Sequence, residues 1–317
     1  MTNLKFKKIT IIGLGLLGSS LARVIKEREI TDHLVGFDVS DAVRDRATEI
    51  KLCDDVYDTA AKAVDGADLV ILAVPVGVSG EVAASFIENM KQGATLTDVG
   101  SVKAAVIKQI LPLISDAIHF IPAHPIAGTE FSGPDAGFAT LFDNKWTVIT
   151  PLEGVDAEKL RQLENFWTEC GSNVEIMDAE HHDKVLAITS HIPHLIAYNI
   201  VGTAADVEEV TQSEVIKYSA GGFRDFTRLA ASNPTMWRDI FLNNKEAVLE
   251  MLGRFNEDLA ALQRVIRWGD GDELYKFFDR TRDIRKSLID AGQESPKANF
   301  GRDNLSKNSE TDKQSKD

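Results

Sequence analysis

Short apolar runs alternate with amphipathic stretches over the first half of the chain. Ile9–Ile12 is apolar throughout, and Leu16–Glu27 behind it places its apolar residues at helical spacing. Leu34–Phe37 is the next run, followed by helical spacing from Asp41 to about Ile50. Leu69–Val74 is apolar at every position, as a strand covered on both faces must be. Ala94–Val99 and Ile118–Ile121 continue the series, which persists to about Ile176. Such alternation predicts an α/β domain over residues 1–176, built on a doubly wound parallel sheet.

The pattern changes near Met177, and residues 177–291 read as almost wholly helical. One long apolar helix is predicted from about Ala179 to Gly202, kinked at Pro193, which cannot bond the carbonyl of Thr189. Gly221-Gly222 marks a turn. Asn233-Pro234 reads as a cap followed by proline at the first helical position, opening a helix to about Trp268. This helical segment is apolar enough to predict a substrate-binding and dimerisation domain. Residues 292–317 are polar with nearly balanced charge, and disorder is expected there.

A formal net charge of −14 on 317 residues argues against nucleic acid or an anionic membrane as partner. An anionic substrate would have to be held by local positive groups and backbone N–H donors. Cys53 and Cys170 form no C-x-x-C pair, so neither a disulfide framework nor a metal site is expected. The polar start, and the lack of any stretch that reads as membrane-spanning, lead to the expectation of a cytoplasmic protein.

Gly13-Leu-Gly15-Leu-Leu-Gly18 lies between the first strand and the first helix, the context in which a G-x-G-x-x-G turn binds a dinucleotide. Gly13 permits the tight turn, Gly15 lets a pyrophosphate approach, and Gly18 lets helix and strand pack closely. With Leu16 and Leu17, they place the helix N-terminus against the phosphates. Asp38 ends the second strand, where a carboxylate accepts from the adenine ribose and repels a 2′-phosphate. The fold is therefore read as Rossmann-type and the cofactor as NAD.

Ligands in such sheets lie beyond the carboxyl ends of the strands. Val74-Pro75, Asp98–Lys103 and His124–Glu130 fall there. His124 is suited to take a hydroxyl proton as hydride leaves the same carbon, and Ser101 to bond that hydroxyl or the histidine. Asp183, Ser190 and His194 share one helical face, beside His191. His181, His182 and Asp183 do not suggest a metal site, because adjacent helical side chains diverge. Gly221-Gly-Phe-Arg224-Asp-Phe-Thr-Arg228 suits a carboxylate grip, with either arginine eligible.

Together GLGLLGSS (13–20), AVP (73–75), DVGSVK (98–103), HPIAGTEFSG (124–133), SHIPH (190–194), GGFRDFTR (221–228) and MWRDIF (236–241) resemble the prephenate and arogenate dehydrogenase family. The resemblance implies that His124 is the base and that Ser101 assists it beside the nicotinamide. It also implies that Arg228, rather than Arg224, binds a substrate carboxylate, and that His194 with Ser190 lies at the substrate side chain. Thr129 and Glu130 would line the pocket entrance and Gly221 the substrate site, with Val74 and Pro75 beside the cofactor. Asp183 would join an ionic network, Trp237 would lie near a dimer interface, and the protein would be a homodimer through its helical domain.

The implied reaction is NAD-dependent oxidative decarboxylation of prephenate to 4-hydroxyphenylpyruvate in tyrosine biosynthesis. The alternative is an arogenate or dual-specificity cyclohexadienyl dehydrogenase; His194 facing the side chain is taken to favour the keto acid. Neither a fused chorismate mutase nor a folded regulatory module is expected. A 3-hydroxy acid dehydrogenase, which typically uses a lysine base, is disfavoured by His124 in HPIAG, and an NAD-sensing regulator without turnover by His124, Ser101 and Arg228 together.

Overall fold

The computed structural model describes residues 5–129, 131–211 and 220–290. Glu130 and the 292–317 tail lie outside the described residues. Two compact units are formed, one within Met1–Leu252 and one within Gly253–Asp317.

The first unit begins with β1 (Lys8–Ile12), α1 (Leu16–Glu27), β2 (His33–Phe37), α2 (Asp41–Glu49), β3 (Asp55–Val56), α3 (Ala60–Val64) and β4 (Leu69–Leu72). Then come α4 (Ser79–Ala84), β5 (Thr95–Asp98), α5 (Lys103–Ile110) and β6 (His119–Phe120). The six strands form one parallel sheet in the order β3-β2-β1-β4-β5-β6, with Ile9 opposite both Leu34 and Leu69. Side chains alternate across it: Ile9, Ile11, Leu69 and Ile71 enter one core, while Ile12, Val70 and Leu72 enter the other. Two buried faces explain why these strands read as continuous apolar runs. The chain runs from β1 to β2 on one side and later to β4 on the other, so a crevice opens at the carboxyl ends of β1 and β4.

A second sheet was not foreseen. β7 (Ala123–Pro125) pairs antiparallel with β8 (Trp146–Ile149), which after α6 (Ala157–Glu169) pairs parallel with β9 (Asn173–Ile176). Pro122, which has no N–H to donate to a ladder, stands between β6 and β7. His124 therefore sits on a strand of its own rather than just beyond the parallel sheet.

The helical part comprises α7 (Ala179–Leu186), one turn of π-helix (Ala187–His191), α8 (Ile192–Thr211), α9 (Gly221–Thr227), α10 (Pro234–Asn243), α11 (Lys245–Trp268) and α12 (Gly271–Asp290). Pro193 falls in the first turn of α8, directly behind the π turn. Gly221 and Gly222 open α9 instead of forming a turn. Asn233 caps α10 as expected, its side chain accepting from the N–H groups of Thr235 and Met236. The helix expected to run on to Trp268 breaks at Asn244.

One stretch among the described residues, Ala179–Val207, is long and apolar enough to cross a membrane by length and composition, which the sequence reading did not expect. Its His182, Asp183 and His191 are buried and hydrogen-bonded within the protein. In the second unit, the end of α11 meets α12 through Gly269 at φ +69. Leu259, Ile266, Tyr275, Phe278 and Ile284 are exposed on these two helices.

Candidate active site

At the crevice, Gly13 adopts φ +99 and its N–H donates to the carbonyl of Phe37 at 2.8 Å. A Cβ there would stand 2.3 Å from the carbonyl oxygen of Ala73 and 3.2 Å from Val74 Cγ1. A Cβ on Gly18 would lie 1.9 Å from the carbonyl oxygen of Gly13, whereas one on Gly15 would meet nothing within 4 Å. Two glycines thus let the backbone close up, and the third leaves room over the N-terminus of α1. Leu16 and Leu17, in that first turn, anchor it on the core. Asp38 Oδ2 accepts from the N–H of Leu14 at 2.9 Å and Oδ1 from Ser40 at 3.0 Å, tying the end of β2 to the glycine turn. Val74 and exposed Pro75 follow β4 on the other side. This cradle fits a dinucleotide diphosphate.

Beside it, Asp98 ends β5 and Lys103 opens α5; both are buried and form an ion pair. They grip Ala123 from both ends. Lys103 Nζ donates to its carbonyl at 2.7 Å, and Asp98 Oδ1 accepts from its N–H at 3.4 Å. The neighbouring His124 is thereby fixed relative to the parallel sheet. Ser101 is half-buried on the same β5–α5 connection, but the partner of His124 Nδ1 is His182 Nε2, at 2.8 Å, and not Ser101.

His182 was missed by the sequence reading. Its Nδ1 lies 2.8 Å from Asp183 Oδ1, although adjacent helical side chains were expected to diverge. Asp183 in turn accepts from the N–H groups of Lys103 and Ala104, at 2.8 and 2.9 Å. Asn244 reaches from the α10–α11 break to the carbonyl of Asp183 and to His191 Nδ1. Only the tertiary fold brings these groups together, so their spacing carried no signal. Among the described residues no group of three or more His, Cys, Asp or Glu is placed to hold a metal.

The stripe expected of Asp183, Ser190 and His194 is divided between two neighbours. Asp183 faces α5, whereas His194 stacks on Trp237 with ring centroids 3.7 Å apart and Nδ1 2.8 Å from the carbonyl of Ser190. Trp237 is buried against His194 and Phe241, a core position within this unit. Arg228 follows α9, exposed, within electrostatic reach of His194. Gly221, at the start of α9, and Thr129 are exposed; Thr129 Oγ1 accepts from the N–H of Phe131.

Burial holds all four inner histidines below the ordinary imidazole range. For His124 the effect is large, with His182, Lys103 and His191 adding to it. His182 is lowered by burial against the opposing pull of Asp183, and His194 by burial and Arg228. His191 falls to about 4, from burial first, despite Asp183. The unfolded chain therefore binds protons before the folded one does, and stability is lost as pH falls from 6.5 towards 4. A loss of roughly 2–3 kcal/mol from His191 alone is expected across that window. Denaturant midpoints measured between pH 7 and pH 4 check it; a flat profile would contradict it.

Family models match both parts of the chain: "Prephenate dehydrogenase, nucleotide-binding domain" over residues 21–176 and "Prephenate dehydrogenase, dimerization domain" over 178–280. The chain is 44% identical to a cyclohexadienyl dehydrogenase of Zymomonas mobilis, over 89% of this chain and 96% of the relative. It is 33% identical to the prephenate dehydrogenase of Bacillus subtilis, over 88% and 76%. The crystal structure of prephenate dehydrogenase from Aquifex aeolicus with hydroxyphenyl propionate and NAD+ superposes with a TM-score of 0.84 at 32% identity, covering 89% of this chain and 98% of that one. The chain belongs to the prephenate dehydrogenase family, and it is an NAD-dependent oxidoreductase with a Rossmann-type nucleotide domain.

Proposed function

We propose that the chain catalyses oxidative decarboxylation of prephenate to 4-hydroxyphenylpyruvate, the step that makes the keto-acid precursor of tyrosine. The observation that carries this reading is His124: a buried imidazole, held below the ordinary imidazole range by burial and tied through Ala123 to the carboxyl end of β5, on the side where the dinucleotide cradle opens. NAD, when bound on Gly13, Gly15, Gly18 and Asp38, accepts the hydride. His124 takes the proton of the ring hydroxyl, and Ser101 bonds the same oxygen. Arg228 pairs with a substrate carboxylate, while His194 and Ser190 face the side chain. Thr129 and Gly221 complete the rim. As the ring carboxylate leaves as carbon dioxide, its bonding pair enters the ring, and the ring oxygen, now a phenolate, takes back the proton held on His124. The protein's task is to bind, orient and supply the base. The Aquifex structure supports the reading, since hydroxyphenyl propionate has the shape of the proposed product.

A second reading, acceptance of arogenate, has one observation in its favour. The carbonyl of Ser190 only accepts, so His194 Nδ1 carries the hydrogen and neutral Nε2 presents a lone pair. A lone pair suits the side-chain ammonium of arogenate, which reverses the preference expected from sequence. The similarity to a cyclohexadienyl dehydrogenase points the same way. NADH formation with each substrate, against NAD and NADP, is the test. Turnover of prephenate, with NAD preferred because of Asp38, is the expected result. Comparable efficiency with arogenate would establish dual specificity, and turnover of neither would overturn both readings.

We further infer a nucleotide domain over 1–176 and a homodimer through the helical domain, 177–291. The apolar residues exposed on α11 and α12 and the dimerization-domain match support this. Two unpaired thiols, Cys53 and Cys170, suit a reducing cytoplasm.

A further inference from the structure

We infer that His182, held by Asp183, is a positioning residue that fixes the tautomer of His124 and leaves Nε2 of His124 as the proton acceptor. This rests on the reading of His124 as the base. Asp183 receives the N–H groups of Lys103 on Oδ1 and Ala104 on Oδ2, and backbone N–H groups only donate. As a carboxylate it only accepts, so His182 Nδ1, 2.8 Å from Oδ1, carries a hydrogen. Neutral His182 then has its lone pair on Nε2. That atom lies 2.8 Å from His124 Nδ1, which must donate to it. The opposite order would set two acceptors face to face at the His182–Asp183 contact. The lone pair of His124 is therefore on Nε2.

In turnover the substrate O–H bond breaks and its proton binds His124 Nε2. The C–H bonding pair leaves as hydride to the nicotinamide, and Nδ1–H stays on His182. The positive charge formed on His124 is stabilised through His182 by Asp183. Lys103 Nζ takes no part, being bonded to Asp98 and the carbonyl of Ala123.

Protonation of His182 would turn its Nε2 into a donor and force His124 into the unproductive tautomer. Five groups set where that occurs: Asp183 on α7, Asp98 ending β5, Lys103 on α5, His124 on β7 and His191 in the π turn. Burial keeps His182 below the ordinary histidine range, so it stays neutral at neutral pH.

The test is ring ¹⁵N NMR of the full chain labelled at histidine, without substrate, combined with kinetics. Wild-type His124, identified by the signal lost in His124→Asn, should show the Nδ1–H form. His182→Leu should move it to the Nε2–H form and lower kcat/KM by roughly 10–100-fold. In that variant KM for NAD should stay unchanged and the acid limb of the pH profile should move. His182→Gln, which offers an acceptor oxygen, should recover most of the activity. An Nε2–H form in the wild type overturns the inference, as does a folded His182→Leu with unchanged kcat and tautomer. If His182→Leu does not fold, the wild-type tautomer and His182→Gln decide. Wild-type protein in the Nδ1–H form that oxidises no cyclohexadienol overturns His124 as base, and this role with it, while the tautomer stands.

Discussion

Replacing His124 by Asn lowers kcat by about 10²–10⁴-fold and leaves NAD affinity nearly intact. The amide fills much of the same space in β7 but accepts no proton at neutral pH. The cofactor cradle is built from β1, β2, β4 and α1, and none of its hydrogen bonds runs through His124. Turnover and NAD binding are therefore expected to separate. The check is NADH absorbance at saturating prephenate and NAD, with the dissociation constant for NAD measured on the same variant. Turnover within a few-fold of wild type would remove the histidine from its assigned role. A parallel loss of NAD binding would show instead that the variant has disturbed the crevice.

Asp98→Ala is expected to cost about 3–5 kcal/mol, because it leaves the Lys103 ammonium buried without its carboxylate. The same substitution releases the N–H groups of Gly100 and Ala123, which Asp98 now accepts. Denaturant unfolding measures the loss. The double replacement Asp98→Leu with Lys103→Met removes both charges and should be less damaging, since a buried pair is costly mainly when broken. A single variant within 1 kcal/mol of wild type would contradict the account. Because the pair also grips Ala123, variants that do fold should lose turnover through a displaced His124 while still binding NAD.

What was legible in the sequence was local. Gly13, Gly18 and Asp38 act within one strand–turn–helix unit, and their spacing alone specifies the turn the structure contains. The apolar runs marked the parallel strands because burial on both faces leaves no polar alternation to obscure them. What was hidden is long-range. β7 has three residues and takes its identity from pairing with β8, some twenty positions on, so His124 read as lying just beyond the strand Ile118–Ile121. His182 looked like one of two stray histidines, because its partners His124 and Lys103 come from other elements. Trp237 was read only for a place near a dimer interface, and its stacking on His194 depends on α8, another long-range contact.

The π turn at Ala187–His191 makes the chain's length there matter. It holds one residue more than a regular helical turn would use. The wide turn takes up that residue, so the flank that reaches His124 through His182 and the flank that stacks His194 on Trp237 keep the facing they would have on a regular helix. The displacement is confined to the turn itself, which holds His191, buried and bonded to Asn244. Removing one residue there should spare both flanks and shift His191, so a one-residue gap at this turn in a related sequence would mark a protein without the contact that Asn244 makes here.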